Sequence, residues 1–127
     1  STRVGLQHLV SIAPGGQYLL GVTRTLEKRD DQLAIGLRLL PGIPQAAMGR
    51  ALDLVRAGQA RYSEILLLPE MPQLKAQPSL ILPTGWHRPS RLLEIWDGTT
   101  LTRVRLVQAL ERGANFERVL YAPAGSA

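Results

Sequence analysis

The sequence predicts a mainly β protein: a small antiparallel β-barrel or sandwich of short strands, with at most one or two short helices. Nine prolines and twelve glycines divide the chain into short segments. Short apolar runs lie between these turn-forming residues, and long stretches with helical periodicity are absent. At 127 residues, the chain has the length of a single domain.

The N-terminal third predicts a strand followed by a hairpin. The strand covers residues 6–12 and ends at an Ala-Pro-Gly-Gly turn, because proline and glycine favour turn dihedrals. The hairpin covers residues 18–40, with a polar loop between its two arms. Pairing Val22 with Leu37 would place its aliphatic side chains on one face, so we expect this hairpin to form part of the barrel wall.

Arg24 is the exception in this hairpin. Simple alternation places its guanidinium on the same face as Leu20 and Val22, where an unpaired charge would be costly. The side chain must therefore lie near a barrel mouth, meet an acid or contact a ligand. Arg38, on the second arm, joins Arg24 as a candidate ligand-binding residue.

The pattern changes after residues 41–44, which are rich in proline and mark a candidate boundary between two parts of the domain. The apolar spacing over residues 48–55 predicts a helix or helical turn, which Gly58 would end. A strand over residues 45–52 is the alternative, because Gly49 weakens the helix.

The second half of the chain predicts further short strands. Two apolar runs end at Pro69 and Pro83, since proline cannot donate a hydrogen bond to a sheet. The dipeptide Asp97-Gly98 favours a hairpin turn. Alternation favours a strand at the start of residues 101–110, with a helix as the alternative further along. The remaining strands are predicted over residues 63–69, 78–83, 91–96 and 116–121.

Composition excludes several kinds of function. The chain has no cysteine, which excludes disulfides, thiol catalysis and cysteine-based metal sites, and which fits a reducing cytosol. Because no run of about 18 apolar residues is present, we expect no membrane-spanning helix. The chain begins at Ser1 without a visible signal peptide, so we expect an excerpt of a longer cytoplasmic protein.

Catalytic and metal-binding patterns are also missing from the sequence. The histidines are His8 and His87, neither has a second imidazole at ligand spacing, and no nucleophile motif accompanies them. The first glycine-rich turn lacks the lysine and hydroxyl residue of a phosphate-binding loop. We therefore expect a non-enzymatic protein without a bound metal or cofactor.

The net charge of +5 leaves an anionic partner open. A loop that contains Trp86, His87, Arg88 and Arg91 joins two predicted strands. Its indole would stack on a base and its guanidinium groups would hold a phosphate if the barrel binds single-stranded nucleic acid. The alternative is structural: the indole folds back over the barrel end and the arginines lie in solvent.

Arg103 and Arg105 form a second basic group, because they share one face of their predicted strand. If they pair with Glu94 and Asp97 across a hairpin, their role is structural. If those partners are out of reach, the two arginines form a basic stripe and become candidates for binding an anionic ligand.

The hairpin also carries a family resemblance. Residues 21–24 (Gly-Val-Thr-Arg) and 35–40 (Ile-Gly-Leu-Arg-Leu-Leu) resemble the later strands of PilZ-like barrels, bacterial domains with a "GxVR" strand followed by an "xGVxLL" strand. The resemblance covers about the first 45 residues and implies a PilZ-like fold. PilZ domains bind cyclic di-GMP through Arg-x-x-x-Arg and Asp/Asn-x-Ser-x-x-Gly segments, and neither is present here, so no ligand residue carries over.

The sequence therefore predicts a non-enzymatic binding or scaffold module of a bacterial cytoplasmic regulatory protein. Its expected partner is another protein or the remainder of the parent chain, while cyclic di-GMP stays open as a ligand despite the missing motifs. The alternative is a nucleic-acid-binding barrel that uses the basic surface and the Trp86 loop. The sequence does not determine the oligomeric state.

Overall fold

The chain forms two β-sheets in the computed structural model, a three-stranded sheet followed by a closed six-stranded barrel. The mainly β fold predicted from the sequence is confirmed. The start of the first predicted strand and the Ala-Pro-Gly-Gly turn lie outside the described residues. The structure describes residues 8–12, 18–56, 58 and 61–124.

Nine strands and two short helices make up the described part of the chain. The strands are β1 (Leu9–Ile12), β2 (Leu19–Arg29), β3 (Gln32–Leu39), β4 (Gln45–Ala51), β5 (Ser63–Leu68), β6 (Ser79–Leu82), β7 (Leu92–Trp96), β8 (Leu101–Arg112) and β9 (Glu117–Pro123). The helices are α1 (Leu52–Arg56) and a 3₁₀ turn (Pro72–Leu74).

Every strand pairing in the two sheets is antiparallel. The small sheet has the order β1-β2-β3. The barrel has the order β4-β5-β6-β9-β8-β7, and it closes because β4 pairs with both β5 and β7. Closure removes the free edges of the barrel, whereas the small sheet keeps two edge strands, β1 and β3.

The barrel is filled by aliphatic side chains that alternate along its strands. On β6, Leu80 and Leu82 point inward and are almost completely buried, while Ile81 between them points outward. The interior contains no phenylalanine and packs by aliphatic contact. Its buried members are Ala47, Ala51, Ile65, Leu80, Leu82, Leu93, Ile95, Val104, Leu106 and Val119.

A second apolar layer joins the small sheet to the outside of the barrel. Leu20 and Val22 of β2 face the outward side chains of Leu68 and Ile81. Phe116, the single phenylalanine of the chain, lies in this layer with 1% of its surface exposed. The small sheet therefore packs against the barrel through a continuous core.

This packing corrects the expectation that the hairpin forms barrel wall. The hairpin is confirmed as β2 and β3, but it pairs with β1 and packs outside the barrel. The chain passes from one sheet to the other through residues 40–44, where prolines interrupt the backbone hydrogen-bond donors. A single domain with a boundary near residues 41–44 stays a prediction.

The expected register of the hairpin is also wrong. Val22 lies opposite Arg38, whereas the expected partner was Leu37. A tight turn at Asp30, which has a φ of 55°, lets the two arms pair as far as Arg29, and a register shift between Thr23 and Thr25 then places Val22 opposite Arg38. The polar loop between the arms is therefore shorter than expected.

The predicted helix near residue 50 begins later than expected. Residues 45–51 form β4, so the strand alternative is right for them, and only Leu52–Arg56 are helical. Barrel closure accounts for the difference, because each edge of β4 is occupied by a neighbouring strand. Local apolar spacing carries no information about such long-range pairing.

We expect Phe116→Ala to lower the free energy of unfolding by about 3–5 kcal/mol, because it leaves a cavity between the sheet and the barrel. Leu101→Ala is the control, since Leu101 is 52% exposed and its replacement should change stability by less than about 0.5 kcal/mol. Urea unfolding of both variants measures the difference. Equal effects would contradict the assignment of Phe116 to a shared core.

Candidate functional site

The Trp86 loop is packed onto the barrel. The indole of Trp86 is partly buried against the barrel core. The Trp86 carbonyl oxygen accepts a hydrogen bond from Nη1 of Arg91 at 3.0 Å. The indole therefore serves as part of the packing at this end of the barrel, as the structural alternative expected. That alternative is wrong for Arg91, which it placed in solvent and which is buried, and Arg88 is exposed as it expected.

Arg91 is buried and paired with an acid. Its side chain is 7% exposed, and its Nε lies 2.9 Å from Oδ1 of Asp53. Its Nη2 donates to Oδ2 of the same carboxylate at 3.1 Å, so the pair is bidentate. These hydrogen bonds lower the pKa of Asp53 below its ordinary value. The guanidinium of Arg91 ties the loop to the short helix α1.

Glu117 holds the same loop from inside the barrel. Its buried carboxylate accepts hydrogen bonds from the backbone N–H groups of Gly85, at 3.0 Å, and His87, at 2.9 Å. The His87 ring is partly buried, and its Nδ1 has no hydrogen-bond partner within the described residues. Arg88 is exposed, and its charge contributes to lowering the pKa of Asp53.

Glu94, a buried residue of β7, is the centre of a polar cluster. Its Oε1 accepts hydrogen bonds from Arg50 Nε at 2.9 Å, Arg50 Nη2 at 2.7 Å and the Tyr62 hydroxyl at 2.8 Å. The hydrogen bonds from Arg50, followed by that from Tyr62, lower the pKa of Glu94. The same hydrogen bond raises the pKa of Tyr62, because it stabilises the protonated phenol. We interpret the cluster as structural, because its ion pair and hydrogen bonds link β4 and β7 to Tyr62.

Arg103 and Arg105 lie side by side on β8 and have structural partners. Arg103 Nε lies 3.8 Å from Oε2 of Glu94, which is the cross-strand pair expected from the sequence. Arg105 Nη1 donates to the carbonyl oxygen of Ser90 at 3.4 Å. Asp97, the other expected partner, instead accepts backbone hydrogen bonds within its own turn.

Arg24 and Arg38 lie elsewhere, in a cleft between the small sheet and the barrel. Arg38 forms an ion pair with Glu111 of β8. Arg24 is exposed and lines the same cleft, which has a volume of about 570 Å³. The structure thus separates the candidate residues into two groups. The cleft group consists of Arg24 and Arg38. The barrel group consists of Trp86, His87, Arg88 and Arg91, around the loop between β6 and β7, and of Arg103 and Arg105 on β8.

Arg24 does not occupy the apolar face that simple alternation predicted. The pairing passes from Thr23 opposite Leu37 to Thr25 opposite Gly36, which leaves Arg24 as the extra residue of a β-bulge. The bulge follows the buried Val22 and Thr23 and breaks the alternation, so that Arg24 lines the cleft.

The outer face of β3 is apolar and open. Ile35, Leu37 and Leu39 alternate along the strand and are 41%, 36% and 53% exposed. We call these three side chains, together with the free edge of β3, the strand-edge surface. Within the described residues β3 pairs with β2 alone, so its other edge has no backbone partner.

Several residues of these clusters escaped the sequence reasoning. Arg50 and Tyr62 were missed because their partner Glu94 lies across the closure between β4 and β7. A strand assignment for residues 45–51 would have provided the signal, since Arg50 lies directly opposite Glu94. Asp53 was missed because nothing local to it indicates an arginine 38 residues away.

Within the described residues, the His, Asp and Glu side chains form no group of three that would hold a metal ion. The described helices are all too short to cross a membrane.

A match to a known protein family supports the barrel and covers most of its strands. Residues 50–124 match the family model described as "FimW C-terminal beta-barrel domain". This range begins at the end of β4 and ends just after β9, so it leaves the three-stranded sheet outside. Searches of curated proteins and of solved structures found no match for this chain.

We expect the stability of the protein to fall in acid partly through Glu94. Because the folded state lowers the pKa of this carboxyl below its ordinary 4.5, the stabilisation is present above about pH 4.5 and is lost as the pH falls further. Glu94→Gln should make the free energy of unfolding depend less on pH in acid. It should also lower that free energy at pH 7 by about 1–3 kcal/mol.

Chemical unfolding between pH 3 and pH 7 measures both effects. Glu64→Gln is the matched control, because Glu64 is exposed on β5 and forms no ion pair with a described residue. A Glu94→Gln protein with the acid sensitivity of the original chain would contradict the assignment.

Proposed function

The chain belongs to the FimW C-terminal β-barrel domain family, and from this membership we propose that it is a non-enzymatic binding and scaffold module of a bacterial cytoplasmic regulatory protein. The observation that carries the proposal is the strand-edge surface, the apolar outer face of β3 together with the edge of this strand that pairs with no described residue. The polar clusters around Glu94 and Asp53 support it, because their charges are engaged in ion pairs within the fold.

A PilZ-like fold is the finer form of this proposal. The family match covers residues 50–124, whereas the PilZ resemblance covers about the first 45 residues, so the two concern different parts of the chain. Cyclic di-GMP stays a prediction, since its recognition motifs are missing from the sequence. Calorimetric titration with cyclic di-GMP tests this branch directly.

Nucleic acid is not the partner that we propose. The residues that suggested it are engaged within the protein: Trp86 packs on the core, Arg91 pairs with Asp53 and Arg103 pairs with Glu94. Aromatic stacking on bases needs an exposed ring above a basic groove. Nucleic-acid binding therefore lacks a supporting observation, and it stays a prediction.

The free edge of β3 is suited to accept another strand. Proteins usually protect such edges with lysine, proline or a short strand. β3 is eight residues long and contains neither lysine nor proline. Its sole charged residue, Arg38, is tied to Glu111 of the barrel. An extended peptide would hydrogen-bond to this edge, while its alternate side chains would meet the apolar face.

The size of the apolar face favours a peptide over a second copy of the chain. Three side chains that are about a third to a half exposed offer on the order of 200–300 Å² of surface. A stable dimer commonly buries about 800 Å² on each partner. Strand addition needs less apolar area, because main-chain hydrogen bonds contribute much of the affinity.

The net positive charge of the protein predicts acidic residues at the ends of that peptide. The chain has 15 Lys and Arg against 10 Asp and Glu, so acidic groups beside the bound strand would be attracted to it. The proposed partner is therefore an extended segment of another protein, apolar at alternate positions and acidic at its ends.

We expect Leu37→Lys to weaken binding of such a peptide at least tenfold. The lysine would place a charge in the centre of the strand-edge surface, a device that blocks strand addition in natural edge strands. Random eight-residue peptides displayed on phage and selected on the 127-residue chain supply the ligand, and fluorescence polarisation measures its affinity for each variant.

Leu101→Lys is the matched control, because it places the same charge at an exposed leucine of the barrel. Selected peptides should alternate apolar residues, carry acidic ends and bind this control as tightly as the original chain. The proposal would be overturned if both variants lost peptide affinity equally, or if no such peptides were enriched. A dimer seen by light scattering that Leu37→Lys dissociates would also overturn it.

A further inference from the structure

The cleft between the small sheet and the barrel has the dimensions of a small-molecule site. It lies where β2 and β3 meet the turn between β8 and β9, and its volume is about 570 Å³. Typical ligand pockets range over about 300–1,000 Å³. Its walls are formed by Val22, Thr23, Arg24, Arg38, Glu111, Arg112, Gly113 and Phe116.

The cleft has an excess of positive charge. Glu111 is the only acid among the described residues that line the cleft. It is shared between Arg38 and Arg118, whose Nη1 lies 3.6 Å from Oε1 of Glu111. Arg24 and Arg112 are exposed and form no ion pair with any residue that the structure describes. Two guanidinium charges therefore remain without compensation at one opening.

The backbone directs one of these guanidinium groups into the cleft. Arg24 is the bulged residue of β2, and bulges turn a side chain away from the regular face of a sheet. Opposite the bulge stands Gly36, where a Cβ atom would collide with the hydroxyl of Thr25. Gly36 thus leaves room for the Thr25 hydroxyl beside the bulge, and the bulge leaves Arg24 lining the cleft.

We propose that this cleft binds the phosphate group of a small molecule, with Arg24 and Arg112 as its anion-binding residues. A phosphate monoester has a charge of about −1.5 to −2 at pH 7, which matches the two uncompensated arginines. Guanidinium groups present planar pairs of N–H donors that fit phosphate oxygens. This inference is independent of peptide binding at the strand-edge surface.

Inorganic phosphate and ribose 5-phosphate are the two probes. In a titration of the ¹⁵N-labelled 127-residue chain, we expect saturable changes confined to the amides of residues 22–24 and 111–113. Tighter binding of ribose 5-phosphate assigns the cleft to an organic phosphate, and equal binding assigns it to free phosphate. Either result supports a phosphate site.

Arg24→Gln and Arg112→Gln should each weaken phosphate binding about tenfold, as expected for one charge-assisted contact. Both side chains are exposed, so the fold should persist, and unchanged amide positions elsewhere verify it. Arg61→Gln removes an equal charge from another exposed arginine and should leave the affinity unchanged.

Three results would overturn the proposal. Phosphate changes scattered over the whole surface, or none that saturate, would exclude a site. An equal loss of phosphate affinity with Arg61→Gln would show that the affinity depends on the net charge of the protein and not on the cleft. Binding of succinate as tight as that of phosphate would assign the cleft to carboxylates, such as acidic side chains of a protein.

Discussion

Closure of the barrel by β4 is the constraint on which the other features depend. β4 hydrogen-bonds to β5 through its first residues and to β7 through its last, and Gly49 takes part in both ladders. A Cβ atom at Gly49 would lie 2.9 Å from Cδ1 of Ile65, so the glycine leaves room for the buried Ile65 side chain. Closure also places Arg50 directly opposite the buried Glu94.

The charges of the protein are distributed unevenly as a result of this packing. Carboxylates at Asp53 and Glu117 lie at one end of the barrel and that of Glu94 lies at the middle of β7, and each is satisfied by arginine side chains or loop N–H groups. A buried acid without such partners would be costly. Net charge alone therefore overstates the basic surface at that end, whereas the cleft near Arg24 and Arg112 keeps its positive charge.

The small sheet lies outside a barrel that closes without it, and both proposed binding surfaces involve this sheet. The family match covers the barrel from residue 50 onward, and the sheet packs on its outer wall around Phe116. The proposed peptide surface lies wholly on the sheet. The proposed phosphate cleft combines Arg24 of the sheet with Arg112 of the barrel. A change in how the two sheets pack would therefore alter the cleft before it altered the strand edge.

The sequence by itself determined the strand-rich class, the hairpin and the ends of β5 and β6, because prolines, turn dipeptides and alternation act over a few residues. The register of the hairpin, the separation of the two sheets and the acids that meet Arg91 and Arg38 were decided by tertiary structure alone. Each depends on contacts between distant residues or on a single inserted residue at Arg24. A one-residue bulge reverses the facing of a strand without changing its local pattern.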